Sequence, residues 1–213
     1  MLVPPLGTTG IRALAGEGLL GPHLLAAHCV RADEEEIELL AANDVAVAHC
    51  PRSNAILGCG IAPLTALRDA GIRVCIATDS PASTPSFDMF EEMRAAIAGA
   101  RARERRPDAL SATDALELAT LGGARALGLG SELGSIAPGK RADLTVLSLA
   151  ETSFLPWEDP VTAAVLGGSP DRVVATLVSG ETRYAKGGKT WLELIDAARS
   201  ARGRLLSHAA PML

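Results

Sequence analysis

The chain has 213 residues, of which 48% are hydrophobic and 3% aromatic, and its formal net charge at pH 7 is −5. A mildly acidic chain with few aromatic side chains lacks the basic, base-stacking surface that binds nucleic acid, so no nucleic-acid partner is expected. No apolar run approaches the roughly 20 residues that a membrane-spanning helix requires, so no membrane partner is expected either.

Short apolar runs with helical patterns around them recur three times in the first half of the chain. They are typical of strands buried on both faces and predict strands at 24–27, 45–48 and 74–77. Helices are predicted at 11–20, from Asp33 onward with Glu36 completing a capping box, at 63–70 and at 87–105, with a loop at 51–60. The alternation of strand and helix predicts a parallel sheet with right-handed crossovers.

The hydrophobic period changes after residue 130. Ser111 and Asp114 first predict a capping box at the start of a helix that ends near residue 120. Beyond it, alternating apolar and polar residues predict antiparallel strands at 143–149, 173–180 and 181–185, followed by an amphipathic helix at 192–206. The second part of the chain is therefore expected to be a small β module with a terminal helix.

A polar side chain follows each of the three apolar runs in the first half. His28, His49 and Asp79 come at these strand ends, with 21 residues between the two histidines and 30 between His49 and Asp79, lengths typical of βα units. Because the carboxyl ends of parallel strands meet at one edge, the three predict one functional site. The alternative is that each histidine is a hydrogen-bonded structural residue and that Asp79 caps a turn.

Six segments, taken in order, carry a resemblance to a known family. They are AHCV at 27–30, HCPRSN at 49–54, GIAP at 60–63, TDSPAS at 78–83, DMFEEMR at 88–94 and LGSIAPGKRADL at 133–144. Together they resemble the second half of metal-dependent amidohydrolases. The most similar branch contains the S-adenosylhomocysteine and methylthioadenosine deaminases, guanine deaminase and the triazine chlorohydrolases.

The resemblance implies an α/β fold made from part of a (β/α)8 TIM barrel. A whole barrel takes roughly 250 residues, so the residues available here suffice for its last three βα units, followed by a small antiparallel β module and a C-terminal helix. The expected domains are a partial barrel at 1–130, the β module at 131–190, and a helix and tail at 191–213.

The resemblance also implies roles for individual side chains. Asp79 matches the family's eighth-strand metal ligand for Zn²⁺ or Fe²⁺, and His28 matches the sixth-strand histidine that hydrogen-bonds the attacking water, so these two are the expected catalytic residues. The residues expected to face the substrate are His49, Ser53, Asn54, Ser80 and Ser83. For Ser53 and Asn54 the alternative is that they stabilise their own loop through turn hydrogen bonds.

The chain departs from the family in its histidines. It has four, His23, His28, His49 and His208, and none form the His-x-His pair of the family's first strand. By resemblance, the family's four metal ligands are that pair, a histidine on the fifth strand and the eighth-strand aspartate. Only the aspartate has a counterpart here, Asp79, and a catalytic Zn²⁺ takes about three protein ligands. We expect this chain alone to bind metal weakly, and to form a homo-oligomer or require a complementary N-terminal half.

Two functions follow as alternatives. The first is the C-terminal part of an amidohydrolase that hydrolyses C–N or C–Cl bonds of a small heterocyclic substrate, as in deamination of a purine. The second is an inactive remnant that serves as a binding or oligomerisation module. For self-association the expected cause is exposure of Val47, Val74 and Ile76 on an uncovered sheet face.

The four cysteines set the expected compartment. None form a Cys-x-x-Cys pair, and the first residues do not resemble a signal peptide. Free cysteines beside apolar runs behave as small hydrophobic residues, so the expected location is the reducing cytoplasm.

Overall fold

A parallel sheet of three strands forms the basis of the first structural unit. The computed structural model of the protein describes residues 7–150 and 155–209. The strands are β1 (Leu25–Ala27), β2 (Ala46–His49) and β3 (Val74–Ile76), in the order β1-β2-β3. Leu25 lies opposite Ala46, and Val47 lies opposite Val74. The three predicted strands and their parallel pairing are confirmed.

Eight helices accompany this sheet within the described residues. They are α1 (Gly10–Gly16), α2 (Glu34–Ala42), α3 (Pro51–Ile56), α4 (Leu64–Asp69), α5 (Met89–Glu104), α6 (Ala112–Ala119), α7 (Leu121–Ala126) and α8 (Pro160–Gly167). The two predicted capping boxes, which begin α2 and α6, are both present. None of the described helices combines the length and the apolar sequence that a membrane-spanning helix needs.

Helices α1, α3 and α8 show where this unit departs from the sequence prediction. Helix α3 lies inside the segment predicted as a loop, because Pro51 occupies the first helical turn, where its missing N–H costs no hydrogen bond. Helix α8 lies in a segment for which no element was predicted. Helix α1 ends four residues early, followed by Gly18 with a φ of +66°, a value that glycine adopts readily.

The hydrophobic core lies on the face of the sheet that packs against the helices. Val47, Val74 and Ile76 are buried there, in one cluster with Leu40 of α2 and Leu67 of α4. The expectation that these three strand residues are exposed is therefore wrong. The pairing of Val47 with Val74, and the alternation from Val74 to Ile76, put the three on one face, and helices cover that face. The opposite face carries the small residues Ala46, Ala48 and Cys75, which form a separate cluster with Ala126 of α7.

Shortening Leu67 is expected to destabilise this unit strongly. Its side chain has no exposed surface, so Leu67→Ala loses buried apolar contact and leaves a cavity, at a cost of about 2–5 kcal/mol. Leu127, which is 64% exposed, provides the matched control, and Leu127→Ala should change stability by less than about 0.5 kcal/mol. Urea unfolding measures both variants. Similar losses of stability in the two would contradict this description of the core.

An antiparallel sheet of three strands forms the second unit. Strands β4 (Leu144–Leu147), β5 (Val173–Val178) and β6 (Glu181–Ala185) are followed by helix α9 (Lys189–Ala209). Ser179 and Gly180, with φ of +52° and +81°, form the tight turn between β5 and β6, where both residues of a favoured hairpin turn need positive φ. The predicted strands are confirmed, and the terminal helix is longer than predicted.

The two units divide the chain as follows. The first comprises the chain up to Lys140 together with Leu149–Asp171, and the second comprises Arg141–Ser148 together with the chain from Arg172 onward. The domain boundaries expected at residues 130 and 190 remain predictions. Residues 1–6, 151–154 and 210–213 of the three expected domains lie outside the described residues.

Candidate active site

The carboxyl edge of the parallel sheet brings polar residues of three strands together. His28 directly follows β1, His49 is the last residue of β2, and Asp79 follows the end of β3. His28 and Asp79 have φ of +69° and +61°, a left-handed conformation that is uncommon for residues other than glycine. The chain therefore turns sharply at both positions, a feature that is frequent where side chains serve a site.

Asp79 accepts hydrogen bonds from three groups. The hydroxyls of Ser53 and Ser83 donate to its Oδ2 at 2.5 and 2.8 Å, and the backbone N–H of Ser80 donates to its Oδ1 at 2.7 Å. The bond from Ser53, then those from Ser83 and Ser80, together with the nearby His28, lower the pKa of Asp79 to about 2. Asp79 is therefore an anion throughout the neutral pH range.

His28 lies between Asp79 and Asn54. Its Nδ1 is 2.9 Å from Oδ1 of Asn54, and its Nε2 is 3.9 Å from Oδ2 of Asp79. An amide oxygen only accepts hydrogen bonds, so Nδ1 carries the proton and Nε2 of the neutral ring presents a lone pair. Nε2 and the Asp79 carboxylate are then two neighbouring acceptors, suited to hold a molecule with two O–H or N–H groups.

Helix α3 supplies the residues that hold these two groups. Ser53 and Asn54 are adjacent and both buried, yet one reaches Asp79 and the other His28. Their side chains connect strand ends rather than closing turns within their own segment. Within the described residues, Nδ2 of Asn54 has no hydrogen-bond partner.

A cavity of about 650 Å³ opens beside these side chains, a size typical of small-molecule sites. Its lining includes His28, Ser53, Asn54 and Asp79 together with the loop residues Val30, Arg31, Leu57 and Cys59. The four loop residues were not predicted as site residues. All four follow His28 or Asn54 closely in sequence. Val30 ends the AHCV motif, but no motif includes Arg31, Leu57 or Cys59, and only the folded loops bring them to the cavity.

Three predicted substrate-facing residues do not line this cavity. Ser83 contributes through its bond to Asp79, and the hydroxyl of Ser80 accepts a bond from the backbone N–H of Ala82. His49 is only 3% exposed, and its Nδ1 has no partner among the described residues. Burial, and then the repulsion that protonated His49 would meet from a protonated His28, lower the pKa of His49 to about 4, so it is neutral at physiological pH.

The buried His49 makes stability depend on pH. In the unfolded chain it binds a proton below about pH 6.5, whereas in the native state it stays neutral down to about pH 4. The unfolded state therefore binds more protons in this window, and acidification should cost about 3 kcal/mol of stability through this residue. Urea unfolding of the wild type and of His49→Gln, from pH 7.5 to pH 4, measures this.

Comparison with the variant isolates the contribution of His49. The raised pKa of buried Glu92 acts in the opposite direction, because the native state takes up its proton first as the pH falls. His49→Gln should therefore lose less stability on acidification than the wild type. An equal loss in both proteins would contradict a neutral, buried His49.

The described residues do not form a complete metal site by themselves. Across residues 7–150 and 155–209, no three His, Cys, Asp or Glu side chains come together in an arrangement that could hold a metal ion. Catalytic zinc takes about three protein ligands and a water, whereas this edge offers the carboxylate of Asp79 with His28 beside it. Asp79 could serve as one ligand of a site that other residues complete.

Comparison with known proteins identifies similar sequences over most of the chain. The sequence model of the amidohydrolase family matches residues 7–189. The 5′-deoxyadenosine deaminase of Methanothermobacter thermautotrophicus is 37% identical over 202 residues, which cover 93% of this chain and 47% of that protein. The 5-methylthioadenosine/S-adenosylhomocysteine deaminase of Pelotomaculum thermopropionicum is 41% identical over 180 residues, covering 84% of this chain and 41% of that protein.

A solved structure agrees with these sequence matches. An adenosine deaminase from Xanthomonas campestris, crystallised with bound zinc, superposes with a TM-score of 0.87 at 35% identity. The match covers 95% of this chain and 47% of that one. This chain thus spans about half the length of the curated relatives it matches.

Proposed function

The chain belongs to the amidohydrolase family, and on that premise we propose that it is part of a hydrolase that acts on heterocyclic C–N bonds. The observation that carries the proposal is the pairing of anionic Asp79 with His28 at a cavity, each held by a residue of α3. The names of the relatives point to an adenine nucleoside as the substrate, and to the C–N bond of its amino group as the bond hydrolysed. The chain would supply the C-terminal part of that enzyme.

The proposed architecture is a portion of a (β/α)8 barrel. The parallel order β1-β2-β3 and the packing of helices on one face of the sheet support it. The other face, with Ala46, Ala48 and Cys75, would belong to the barrel interior. Strands from a complementary N-terminal half would then continue the sheet, because an open edge presents unpaired backbone groups.

The proposed chemistry replaces an amino group by an oxygen. A water oxygen bonds to the sp² ring carbon, the C–N bond breaks, and ammonia leaves with a proton taken from the water. The lone pair of His28 Nε2 accepts that proton and later returns it to the leaving nitrogen. Asn54 Oδ1 accepts from Nδ1–H throughout, so it orients the ring and stabilises the imidazolium.

Asp79 contributes its negative charge in this scheme. With a pKa of about 2 it stays ionised while the proton is held at Nε2 of His28, 3.9 Å from its Oδ2. We further propose that Asp79 is one ligand of a zinc or iron ion in the complete enzyme, where the metal would acidify the bound water. The remaining ligands would come from outside this chain.

The second candidate is a non-catalytic binding or oligomerisation module. One observation favours it: within the described residues, no group of three metal-ligating side chains occurs. The cavity beside Asp79 would then bind a small heterocyclic molecule without transforming it. Tests of activity must therefore supply the missing half.

A chimeric enzyme provides this test. The part of the Methanothermobacter thermautotrophicus 5′-deoxyadenosine deaminase that this chain does not match is joined ahead of residues 1–213 in one polypeptide. After zinc loading, ammonia release is measured with 5′-deoxyadenosine, methylthioadenosine, S-adenosylhomocysteine and guanine. We expect hydrolysis by the chimeric enzyme and none by this chain alone. A folded, zinc-loaded chimeric protein that releases no ammonia would favour the binding module instead.

A further inference from the structure

A fully buried carboxylate lies near the site but outside its cavity. Glu92 of α5 has no exposed surface, and burial raises its pKa. Removing a carboxylate from water is costly unless hydrogen bonds or an opposite charge compensate, so its partners indicate what it stabilises. The proposed chemistry assigns it no role.

Within the part of the chain that the structure describes, the two groups that bond to this carboxylate both belong to Arg52. Oε2 of Glu92 accepts a hydrogen bond from the backbone N–H of Arg52 at 3.2 Å, and Oε1 lies 3.5 Å from its Nη1. The same guanidinium pairs with Glu91 through Nη2 at 2.7 Å and donates to the hydroxyl of Ser86 at 3.2 Å. Arg52 is thus held from its backbone and from its side chain.

Arg52 lies in the first turn of α3. It is the second residue of this six-residue helix, and the preceding Cys50 makes no side-chain capping bond. The first N–H groups of a helix have no partner within the helix, and a capping side chain normally satisfies one of them. Glu92, 40 residues later in the chain, accepts the hydrogen bond from the Arg52 N–H and so caps α3 in place of Cys50.

The two residues that follow Arg52 are the ones that hold the catalytic pair. Ser53 donates to Asp79, and Asn54 contacts His28. Two bonds between side chains at 2.5 and 2.9 Å tolerate little displacement of the helix that carries them. The start of α3 must therefore be held in place for both contacts to form at once.

We propose that Glu92 is a positioning residue: from α5 it holds the start of α3 so that Asn54 meets His28 and Ser53 meets Asp79. The inference rests on the proposed function only in regarding His28 and Asp79 as catalytic. Its test uses this chain alone and requires no activity, so failure of the chimeric enzyme and failure of this inference are distinguishable.

The two asparagines of the chain make the test direct. Only Asn43 and Asn54 carry side-chain amides of this type, so a protein labelled with [¹⁵N]asparagine gives two NH₂ signal pairs in an NMR spectrum. Asn54 reports the contact with His28, whereas Asn43, which donates to Leu39 O, serves as the internal reference. In Glu92→Gln, the Asn54 pair should move by more than its linewidth while the Asn43 pair stays.

Glu91 offers a matched control on the same helix. It pairs with the same guanidinium but is 44% exposed, and no bond joins it to the Arg52 backbone. Glu91→Gln should leave both asparagine pairs at their wild-type positions. Glu92→Asp, which keeps the charge but shortens the side chain, should move the Asn54 pair less than Glu92→Gln does.

Each outcome decides the inference. Movement of the Asn54 pair alone in the Glu92 variants, with cooperative urea unfolding retained, supports it. Wild-type Asn54 signals in both Glu92 variants overturn it. Loss of cooperative unfolding in both variants would assign Glu92 to the stability of the fold instead, and would overturn the positioning role as well.

Discussion

Asp79→Asn in the chimeric enzyme is expected to abolish ammonia release, with a loss on the order of 10³-fold or more, beyond what one lost electrostatic contact costs. The substitution removes the negative charge but keeps the size of the side chain, and asparagine tolerates the left-handed backbone of this position. Its amide oxygen can still accept from Ser53 and Ser83, although the bond that Asp79 accepts from the Ser80 N–H is lost. The rate of ammonia release at saturating substrate measures the effect.

Asp44 provides the control for this variant. It also has a positive φ, of +50°, and pairs with Arg73, but it precedes β2 and so lies toward the opposite edge of the sheet. Asp44→Asn should retain the activity of the parent enzyme. If Asp79→Asn retained it too, Asp79 would have no part in the reaction and the proposed site would be wrong.

His28→Asn in the same chimeric enzyme is expected to lower kcat by about 10²–10³-fold, equivalent to about 3–4 kcal/mol of transition-state stabilisation. The ring that accepts the proton of the attacking water is lost, whereas the anionic Asp79 remains. Asparagine again suits the positive φ at this position. Steady-state kinetics with 5′-deoxyadenosine separate the effect on kcat from that on KM.

His23 supplies the comparison within the same unit. The side chain of His23 is exposed. His23 precedes β1 in the chain, so it lies at the edge of the sheet opposite His28. His23→Asn should leave kcat unchanged. A kcat for His28→Asn within about twofold of the parent would show that its imidazole does not take part in the chemical step.

The strands and the parallel sheet could be predicted because their signals are local. Each apolar run spans one strand, and the capping box of Asp33 and Glu36 lies within four residues. The covered face of the sheet could not be predicted in this way. Alternation within β3 puts Val74 and Ile76 on the same face, but which face is covered depends on helices distant in sequence.

In the candidate site, helix α3 likewise could not be predicted from local sequence patterns. Proline, serine and asparagine at 51–54 are common in turns, and a loop is the local prediction. The carboxylate that caps the helix comes from Glu92, which no pattern near Pro51 reveals. The two histidines illustrate the point again. Both follow an apolar run, yet His28 lies at the cavity and His49 is buried.

Zinc content separates this chain from the complete enzyme, because we propose that the chain is one part of a metal-dependent hydrolase and that residues outside it complete the metal site. This chain and the chimeric enzyme are loaded with Zn²⁺, dialysed against metal-free buffer and analysed for zinc per polypeptide. We predict about one equivalent in the chimeric enzyme, as for a single catalytic site, and far less than that in this chain. Stoichiometric zinc retained by this chain alone would contradict the account.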